Sequence, residues 1–340
     1  MRGRDHAEER SGRDAASGPF RVAITLGDPR GIGPEITEKT LRSAALSGSA
    51  EWVLVGPEGV VDASALGRES GARVVLEPVG HWDAEAADLE RAAGEAAGRA
   101  VRRAAELALE GAVDGIVTAP LSKAALAAAG FRYPGHTEFL RELSGVPEVT
   151  MIMTAEDTPL GGPLRMAFLT GHIPLSRVSA SLDEALAVTR SRIALRALRD
   201  WWGFERPRLA FAGLNPHASE GGLMGDEEAR ILEPAMHRLQ AEGEGIMDGI
   251  HPADTVFRRC LDGRVDAVVV PYHDVGLAVL KTVAMERGVN VTAGLPFPRT
   301  SPDHGTAFDI AGRGVADPAS MIEAVRLCLR FCGTRRAAAA

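Results

Sequence analysis

A mostly parallel α/β fold is the fold class that this sequence predicts. Short apolar runs alternate with longer amphipathic segments along the chain, the pattern of strands and their covering helices. Three of the apolar runs each lead to a histidine: residues 166–169 to His172, 209–214 to His217, and 267–270 to His273. Because open α/β sheets bind ligands beyond the carboxyl ends of parallel strands, we expect the three imidazoles to lie along one edge of the sheet.

Length and charge narrow the possible functions. The 340 residues are 45% apolar and 25% charged, as expected of one large globular domain or two ordinary ones. A net charge of −8 gives no sign of the basic surface that binds nucleic acid, so we expect no nucleic-acid partner. No apolar run reaches the ~18 residues of a membrane span, so we expect no membrane segment. An anionic ligand must therefore be held by local cations.

Both chain ends are predicted to be disordered tails, residues 1–19 and 335–340. The first is charged and has no hydrophobic segment, so it does not read as a secretory signal. Three cysteines, an odd number, fit the reducing cytoplasm, which is the location we expect.

Before residue 121 the chain is predicted to form four strands and one long helix. The strands are residues 21–26, 51–55, 72–76 and 114–120, and the helix is residues 83–110. A glycine-rich turn at residues 27–35 leads into a helix that Pro34 opens, and it is either a phosphate cradle or a plain tight turn. Ile36 excludes the ordinary dinucleotide fingerprint. Gly94 and Gly98 permit a close helix contact.

The second half of the chain is predicted to contain helices joined by polar loops. Helices are predicted over residues 183–201, 226–240 and 318–331. His136 and Thr137 follow a turn, a common place for ligand contacts; the alternative is that Thr137 and Glu138 only cap the next helix. Asp254 comes shortly before the third histidine-bearing strand, where it orients an imidazole or caps a helix.

The three strand-end histidines are candidate metal ligands. Three neutral imidazoles suit zinc or a similar divalent metal and leave a position for substrate or water. Their spacing matches no compact metal motif, and single histidines are more often structural, so both interpretations stay open. Lys281 and Arg299 are candidate anchors for a phosphate or carboxylate, with ordinary surface charges as the alternative.

Two classes of enzyme remain open from the residues alone. A metallohydrolase would activate water, with Asp274 or Glu138 as the base. A metal-dependent dehydrogenase would oxidise an alcohol and pass a hydride to a nicotinamide.

Seven motifs in chain order carry a resemblance to a known family. They are Thr-Leu-Gly-Asp-Pro-Arg-Gly-Ile-Gly-Pro-Glu at residues 25–35, Gly-His-Thr-Glu at 135–138, His-Ile-Pro-Leu at 172–175, Leu-Asn-Pro-His at 214–217, Pro-Ala-Asp-Thr at 252–255, Tyr-His-Asp at 272–274, and Gly-Leu-Pro-Phe-Pro-Arg-Thr-Ser-Pro-Asp-His-Gly-Thr-Ala at 294–307. Together they resemble the 4-hydroxythreonine-4-phosphate dehydrogenase (PdxA) family of vitamin B6 biosynthesis, across nearly all of residues 21–332.

The resemblance implies how the site is built. It implies a divalent metal, zinc or else magnesium or cobalt, held by His172, His217 and His273 in a site completed across a homodimer. Asp274 and Asp254 are then the residues that we expect to orient imidazoles. The implied substrate contacts are His136, Thr137, Lys281, Asn290 and Arg299.

The family's fold is similar to that of isocitrate and isopropylmalate dehydrogenases, with two α/β domains around a central cleft. The resemblance therefore implies a first, cofactor-side domain from residues 20–125 and 296–334. The second domain, residues 126–295, would carry the metal, substrate and dimer contacts. Residues 304–312 look like the adenosine-binding loop of those enzymes. The implied contacts to NAD or NADP are His304, Gly305, Thr306, Ala307 and Asp309.

The implied reaction oxidises the C3 alcohol of 4-phosphooxy-L-threonine to 2-amino-3-oxo-4-phosphooxybutanoate, which loses carbon dioxide to give 3-amino-2-oxopropyl phosphate. Four positions depart from the family pattern: Val275, Gly171, Ser219 and Leu223 stand where glutamine, threonine, glycine and histidine are common. These departures bear on substrate identity, because paralogues oxidise D-threonate or D-erythronate 4-phosphate and others act on cyclic dihydrodiols. Lys281, Asn290 and Arg299 favour a phosphorylated substrate.

Overall fold

One continuous sheet forms the framework of the computed structural model, which describes residues 18–46, 48 and 50–339. Its strands are β1 Phe20–Thr25, β2 Ala50–Glu58, β3 Val74–His81, β4 Gly115–Thr118, β5 Thr150–Ala155, β6 Leu164–Phe168, β7 Arg208–Ala212, β8 Ile246–His251, β9 Ala267–Val270, β10 Val289–Ala293 and β11 Arg299–Pro302. Their order across the sheet is β3-β2-β1-β4-β11-β10-β5-β6-β9-β7-β8. The pairs β11–β10, β10–β5 and β5–β6 are antiparallel and the other pairs are parallel, which confirms the mostly parallel α/β class.

Helices connect these strands. They are α1 Gly33–Arg42, α2 Ala63–Ser70, α3 Leu89–Leu109, α4 Lys123–Ala128, α5 His136–Ser144, α6 Val178–Ser181, α7 Glu184–Asp200, α8 Glu233–Ala241, α9 Val256–Leu261, α10 His273–Ala284 and α11 Ala319–Ala339. A π-helical turn, Glu228–Leu232, precedes α8, so the helix predicted over residues 226–240 begins irregularly. No helix in the described part of the chain has the length and apolar character needed to cross a bilayer.

The three histidine-bearing strands are neighbours, as the sequence predicts. β9 lies between β6 and β7 and is parallel to both. All residues of β6 and β9 are buried, which explains why they are apolar apart from Arg165, whose charge is paired with Glu156. The carboxyl ends of these three strands therefore meet at one edge of the sheet.

The predicted C-terminal tail is wrong, because α11 continues to Ala339. Its last turns are alanine-rich, which favours helix, and Arg336 attaches them to the first strand. The Arg336 guanidinium lies 3.9 Å from the Phe20 ring centroid, donates to the Gly18 carbonyl oxygen at 2.6 Å, and lies 3.6 Å from Asp114. The other predicted tail lies outside the described residues, apart from residues 18–19. The division into two domains stays a prediction.

A buried carboxylate joins α11 to the opposite half of the sheet. Glu156, which follows β5, accepts two hydrogen bonds from Arg165 of β6, at 2.7 and 2.6 Å. The indole of Trp202 donates to it at 2.8 Å, and Arg330 of α11 donates at 3.0 Å. Burial opposes ionisation of Glu156, but these donors outweigh it and lower its pKa.

Two glycines let α3 pack closely against its neighbours, as the sequence predicts. A Cβ built at Gly94 would lie 1.8 Å from the backbone oxygen of Ala125 in α4, and one at Gly98 would lie 2.3 Å from the Phe131 ring. We therefore expect Gly94→Ala to lower the free energy of unfolding by about 1 to 3 kcal/mol, despite the better helix propensity of alanine. Chemical denaturation measures this.

The control for that experiment is Gly333→Ala in α11. A Cβ there would meet only the Phe20 ring, at 3.8 Å, which is an ordinary contact. It should leave the protein unchanged or raise its stability by up to about 1 kcal/mol. Equal effects of the two substitutions would contradict the close packing of α3 on α4.

Candidate active site

A cavity of 810 Å³ lies beyond the carboxyl ends of β4, β6 and β9. This volume suits a small ligand, and the position is the usual one for ligand sites in α/β sheets. Nine of the fifteen residues predicted for the site line it: His136, Thr137, His172, His273, Lys281, Asn290, Arg299, His304 and Gly305. Nine of the residues indicated by the sequence and the resemblance therefore share one cavity.

Arg299 is the most unusual group in the cavity wall. Its side chain is 2% exposed, yet the guanidinium forms no ion pair with another described residue. Its hydrogen-bond partners are two neutral hydroxyls, Thr292 Oγ1 at 2.9 Å and Thr118 Oγ1 at 2.5 Å. Burial lowers the pKa of Arg299 to about 9 from the ordinary 12.5, and the charge of Glu138 in the same cavity wall offsets only part of this effect. A buried cation without a counter-ion is costly, so an anionic ligand would supply the missing partner.

Other buried polar atoms in the cavity wall also have no hydrogen-bond partner among the described residues. They are Arg299 Nε, His136 Nε2, Asn290 Oδ1, Arg190 Nε and His304 Nε2. Buried polar groups are normally satisfied, so this concentration indicates a site that a polar ligand completes.

His136 and Lys123 lie beside Arg299 in the same wall. His136 is the first residue of α5, and its pKa is lowered well below the ordinary value by burial and then by the charges of Arg299 and Lys123. Lys123 forms no ion pair with a described residue, so its ammonium is available to a ligand. The helix cap is Gly135 and no side chain caps α5, so the alternative that Thr137 and Glu138 are caps is wrong.

Lys281, by contrast, already has a partner. Its Nζ lies 3.4 Å from a carboxylate oxygen of Asp303 and also 3.4 Å from that residue's carbonyl oxygen. Burial raises the pKa of Asp303 despite this cation. The Lys281 ammonium and the Arg299 guanidinium thus line the same cavity in different electrostatic environments.

Two of the three candidate metal ligands meet in this cavity. The imidazole centroids of His172 and His273 are 4.7 Å apart. Asp274 Oδ1 lies 2.7 Å from Nδ1 of His273, the contact expected of a carboxylate that orients an imidazole. Partial desolvation lowers the pKa of His172, and the nearby His273 and Lys123 lower it further. These effects favour the neutral imidazole that metals require.

His217 does not join them within one chain. It lies in a left-handed turn after β7, where His217, Ala218, Ser219 and Glu220 have φ values of 53°, 52°, 67° and 45°. Its exposed imidazole lies 3.2 Å from the carboxylate of Glu220 and outside the cavity wall. Although the three strands are neighbours, the three imidazoles therefore do not meet within one chain.

Glu228, at the start of the π-helical turn, holds this left-handed turn in place. Its buried carboxylate accepts from the Asn215 backbone at 2.8 Å, from the Asn215 amide at 2.9 Å, and from the Ser219 hydroxyl. Burial opposes the ionisation of Glu228, but these donors outweigh burial and lower its pKa. The unusual backbone is thus held by a carboxylate with three neutral donors.

We expect Ala218→Gly to raise the free energy of unfolding by about 0.5 to 1 kcal/mol. An L-residue in the left-handed region costs about 1–2 kcal/mol, which glycine avoids at some entropic cost in the unfolded chain. Ala185→Gly, at an exposed position near the start of α7, is the control and should lower stability. Denaturant titration of both variants measures this, and a loss in both would contradict the strained turn.

Asp254 is exposed and forms no hydrogen bond or ion pair with another described residue, so one chain offers it no imidazole to orient. The alternative of a helix cap is not seen either, since Thr255 occupies the N-cap of α9. Among the described residues, no group of three or more His, Cys, Asp or Glu side chains is placed to hold a metal ion. One chain therefore brings together two of the three imidazoles predicted to bind a divalent metal, and the third lies elsewhere.

The predicted adenosine-binding loop packs on the glycine-rich turn after β1. The Ile32 amide donates to the Thr306 carbonyl oxygen at 2.9 Å, and a Cβ at Gly31 would lie 2.7 Å from that oxygen. The turn is thus tight because it contacts another loop. His304 and Gly305 line the cavity, whereas Thr306, Ala307 and Asp309 lie outside its wall.

Several residues of the cavity wall escaped the sequence analysis. Thr118 ends β4 and holds Arg299, but a threonine in an apolar strand carries no signal of that role. Arg190 lies in α7, where it is 3.1 Å from Glu148, and it reads in sequence as a solvated helix residue. Only the fold reveals that these side chains face the ligand space.

Comparison with known proteins identifies the family of this chain. The family model described as pyridoxal phosphate biosynthetic protein PdxA matches residues 41–328. A 4-hydroxythreonine-4-phosphate dehydrogenase of Ruegeria sp. (strain TM1040) is 41% identical, covering 94% of this chain and 98% of the relative. A D-threonate 4-phosphate dehydrogenase of Salmonella typhimurium (strain LT2) is 43% identical, covering 91% and 98%.

Solved structures give the same result. A crystal structure of 4-hydroxythreonine-4-phosphate dehydrogenase from Klebsiella pneumoniae matches with a TM-score of 0.77 and 40% identity, covering 93% of this chain and 99% of that one. Isocitrate dehydrogenase from Methylococcus capsulatus, at 16% identity and a TM-score of 0.50 over 94% and 88%, shares the fold alone. The predicted fold resemblance is confirmed, and the chain belongs to the PdxA family.

Proposed function

We propose that this protein is a dehydrogenase that oxidises 4-phosphooxy-L-threonine to 2-amino-3-oxo-4-phosphooxybutanoate, using NAD or NADP and a divalent metal. The product then loses carbon dioxide to give 3-amino-2-oxopropyl phosphate. The observation that carries the proposal is Arg299, a buried cation with no ion-pair partner among the described residues, in the same cavity as the paired imidazoles of His172 and His273. That combination suits a substrate with an anionic group and an oxidisable alcohol.

The anionic groups of the substrate would bind at Arg299 and its neighbours. The guanidinium and the Lys123 ammonium supply positive charge, and the first turn of α5 offers backbone N–H groups. His136, Thr137 and Asn290 would complete the shell, since His136 and Asn290 each have an atom without a partner. These contacts would fix the substrate so that its alcohol faces the imidazoles.

His172 and His273, joined by His217, would hold the metal, with zinc, magnesium and cobalt as candidates. The donor set fits zinc and cobalt in chemical type, because neutral imidazoles suit these transition metals, whereas magnesium prefers oxygen ligands. A bound divalent cation supplies positive charge that stabilises negative charge developing on the substrate oxygen. Asp274 would orient the His273 ring through its 2.7 Å contact with Nδ1.

NAD or NADP would bind along the loop that carries His304, Gly305, Thr306, Ala307 and Asp309. Two features support this placement. The buried His304 Nε2 has no partner among the described residues, so a ligand could satisfy it, and a Cβ at Gly305 would meet no atom within 4 Å, so there is space beside that residue. A bound nicotinamide accepts hydride in oxidations of this kind.

A second copy of the chain would complete the site as a homodimer. Large apolar side chains near the two separated ligands are exposed: Leu175 by 70%, Leu223 by 82% and Met224 by 42%. Exposed apolar side chains of this size near a site are typical of protein interfaces. His217 would then approach the partner's cavity instead of its own. The buried free cysteines support the cytoplasmic location that we propose.

D-threonate 4-phosphate is a second candidate substrate. The Salmonella typhimurium relative named for that substrate is 43% identical. Gly171 lines the cavity next to His172, and a Cβ there would meet no atom within 4 Å, so the threonine common in the family would fit. Its absence would leave space near C2 of the substrate, where 4-phosphooxy-L-threonine carries an amino group and D-threonate 4-phosphate a hydroxyl.

Reduction of NAD and NADP by purified protein tests the proposal. We expect NADH or NADPH formation with 4-phosphooxy-L-threonine that EDTA abolishes and added zinc, cobalt or magnesium restores. A parallel assay with D-threonate 4-phosphate compares kcat/KM for the two substrates. Turnover of D-threonate 4-phosphate alone would support the second candidate, and turnover of neither would reject both.

A further inference from the structure

Two buried threonines, Thr118 and Thr292, hold the Arg299 guanidinium. We propose that they are positioning residues for anion binding: their hydroxyls fix the guanidinium so that its remaining N–H groups face the ligand. This inference rests on the proposed function only for the identity of the anion, since the geometry itself predicts a phosphate or carboxylate.

The three side chains come from three adjacent strands. β11 carries Arg299 and lies between β4, which carries Thr118, and β10, which carries Thr292. Both threonines are fully buried, and each accepts one hydrogen bond from a different Nη atom, at 2.5 and 2.9 Å. The two Nη groups are thereby fixed from opposite sides, which defines the plane of the guanidinium.

The neutrality of both partners is what makes this a ligand site. A carboxylate in either position would neutralise the guanidinium and compete with an incoming anion, as Glu156 does for Arg165. Hydroxyl oxygens accept hydrogen bonds without supplying a charge. Arg299 Nε, which has no partner among the described residues, and the second N–H of each Nη stay available.

The position of β11 between a parallel and an antiparallel neighbour has a second consequence. β11 is parallel to β4 and antiparallel to β10, and the predicted domain boundary falls between β10 and β11. Arg299 is therefore held by one residue of each predicted domain. Because its orientation depends on both, loss of either hydroxyl should weaken anion binding.

Binding of inorganic phosphate and turnover of the phosphorylated substrate together test this. Thr118→Val and Thr292→Val remove each hydroxyl and keep the side-chain shape. We expect each to weaken phosphate binding, measured by calorimetry, by about tenfold, with a matching rise in KM and a smaller change in kcat. Thr118→Ser and Thr292→Ser restore the acceptor and should bind phosphate nearly as well as the wild type.

Thr300→Val is the matched control. Thr300 is the next residue of β11, is equally buried, and donates its hydroxyl to the Ala324 carbonyl oxygen at 2.7 Å, away from Arg299. It should lose stability without losing phosphate affinity. Unchanged phosphate affinity in both valine variants, equal loss in Thr300→Val, or no phosphate binding by the wild type would overturn the proposal. Phosphate binding without turnover of either substrate would reject the proposed function alone.

Discussion

Co-expressed His172→Ala and His217→Ala chains are expected to recover about a quarter of wild-type activity, although each variant alone is inactive. Random pairing makes half of the dimers mixed, and each mixed dimer keeps one intact site out of two. The expectation follows from the two imidazoles that meet 4.7 Å apart within one chain, while His217 lies outside that cavity. Dehydrogenase assays and metal content of the purified mixtures measure it.

The pair His172→Ala with His273→Ala is the control for this experiment. Both residues come from the same subunit of each site, so every mixed dimer would have two broken sites and activity should stay at background. Recovery in both mixtures, or in neither, would contradict a site shared between subunits. Retention of full activity by His217→Ala alone would remove that residue from the metal site.

Arg299→Met is expected to make the protein inactive and more stable at once. Loss of the anion partner should lower kcat/KM by about a thousandfold, near 4 kcal/mol. The guanidinium is buried without a counter-ion, a burial that lowers its pKa to about 9, so its removal relieves a desolvation cost. We expect the unfolding midpoint to rise by about 2 to 5 °C.

Arg165→Met provides the opposite case. Arg165 is 5% exposed, nearly as buried as Arg299, but it forms two hydrogen bonds with the Glu156 carboxylate. Its removal leaves that carboxylate buried and without its main cation, which should cost about 3 to 5 kcal/mol of stability. Thermal unfolding of both variants measures the contrast. A fall in midpoint for Arg299→Met would mean that the guanidinium stabilises the fold.

The strands that the sequence predicts are those whose apolar residues are contiguous. β6 and β9 are examples, because both faces are covered and their side chains are apolar, with Arg165 as the one exception in the two strands. The strands β5, β8, β10 and β11 were not predicted. β11 has the clearest reason, because its sequence, Arg-Thr-Ser-Pro, carries no apolar signal although all four residues are buried. A polar strand in the middle of a sheet is unexpected from hydrophobic pattern, and here it carries the ligand cation.

The candidate site was predicted in two different ways. The strand-end pattern alone indicated His172 and His273, and the structure brings their rings together. Asn290 and the loop at residues 304–309 came only from the family resemblance, whereas His136 was also indicated by the turn that precedes it. Neither approach predicted where His217 lies. Its position depends on a left-handed turn that Glu228, 11 positions further along the chain, holds in place.

The contact of Arg336 with Gly18 places the two ends of the described chain side by side. A short linker could therefore join Ala339 to Gly18 without disturbing β1 or α11. New termini opened at Gly111, in the exposed turn between α3 and β4, would give a circularly permuted enzyme with the same sheet order. Such a permutant should fold and keep its cavity, because every strand pair of the sheet would be retained.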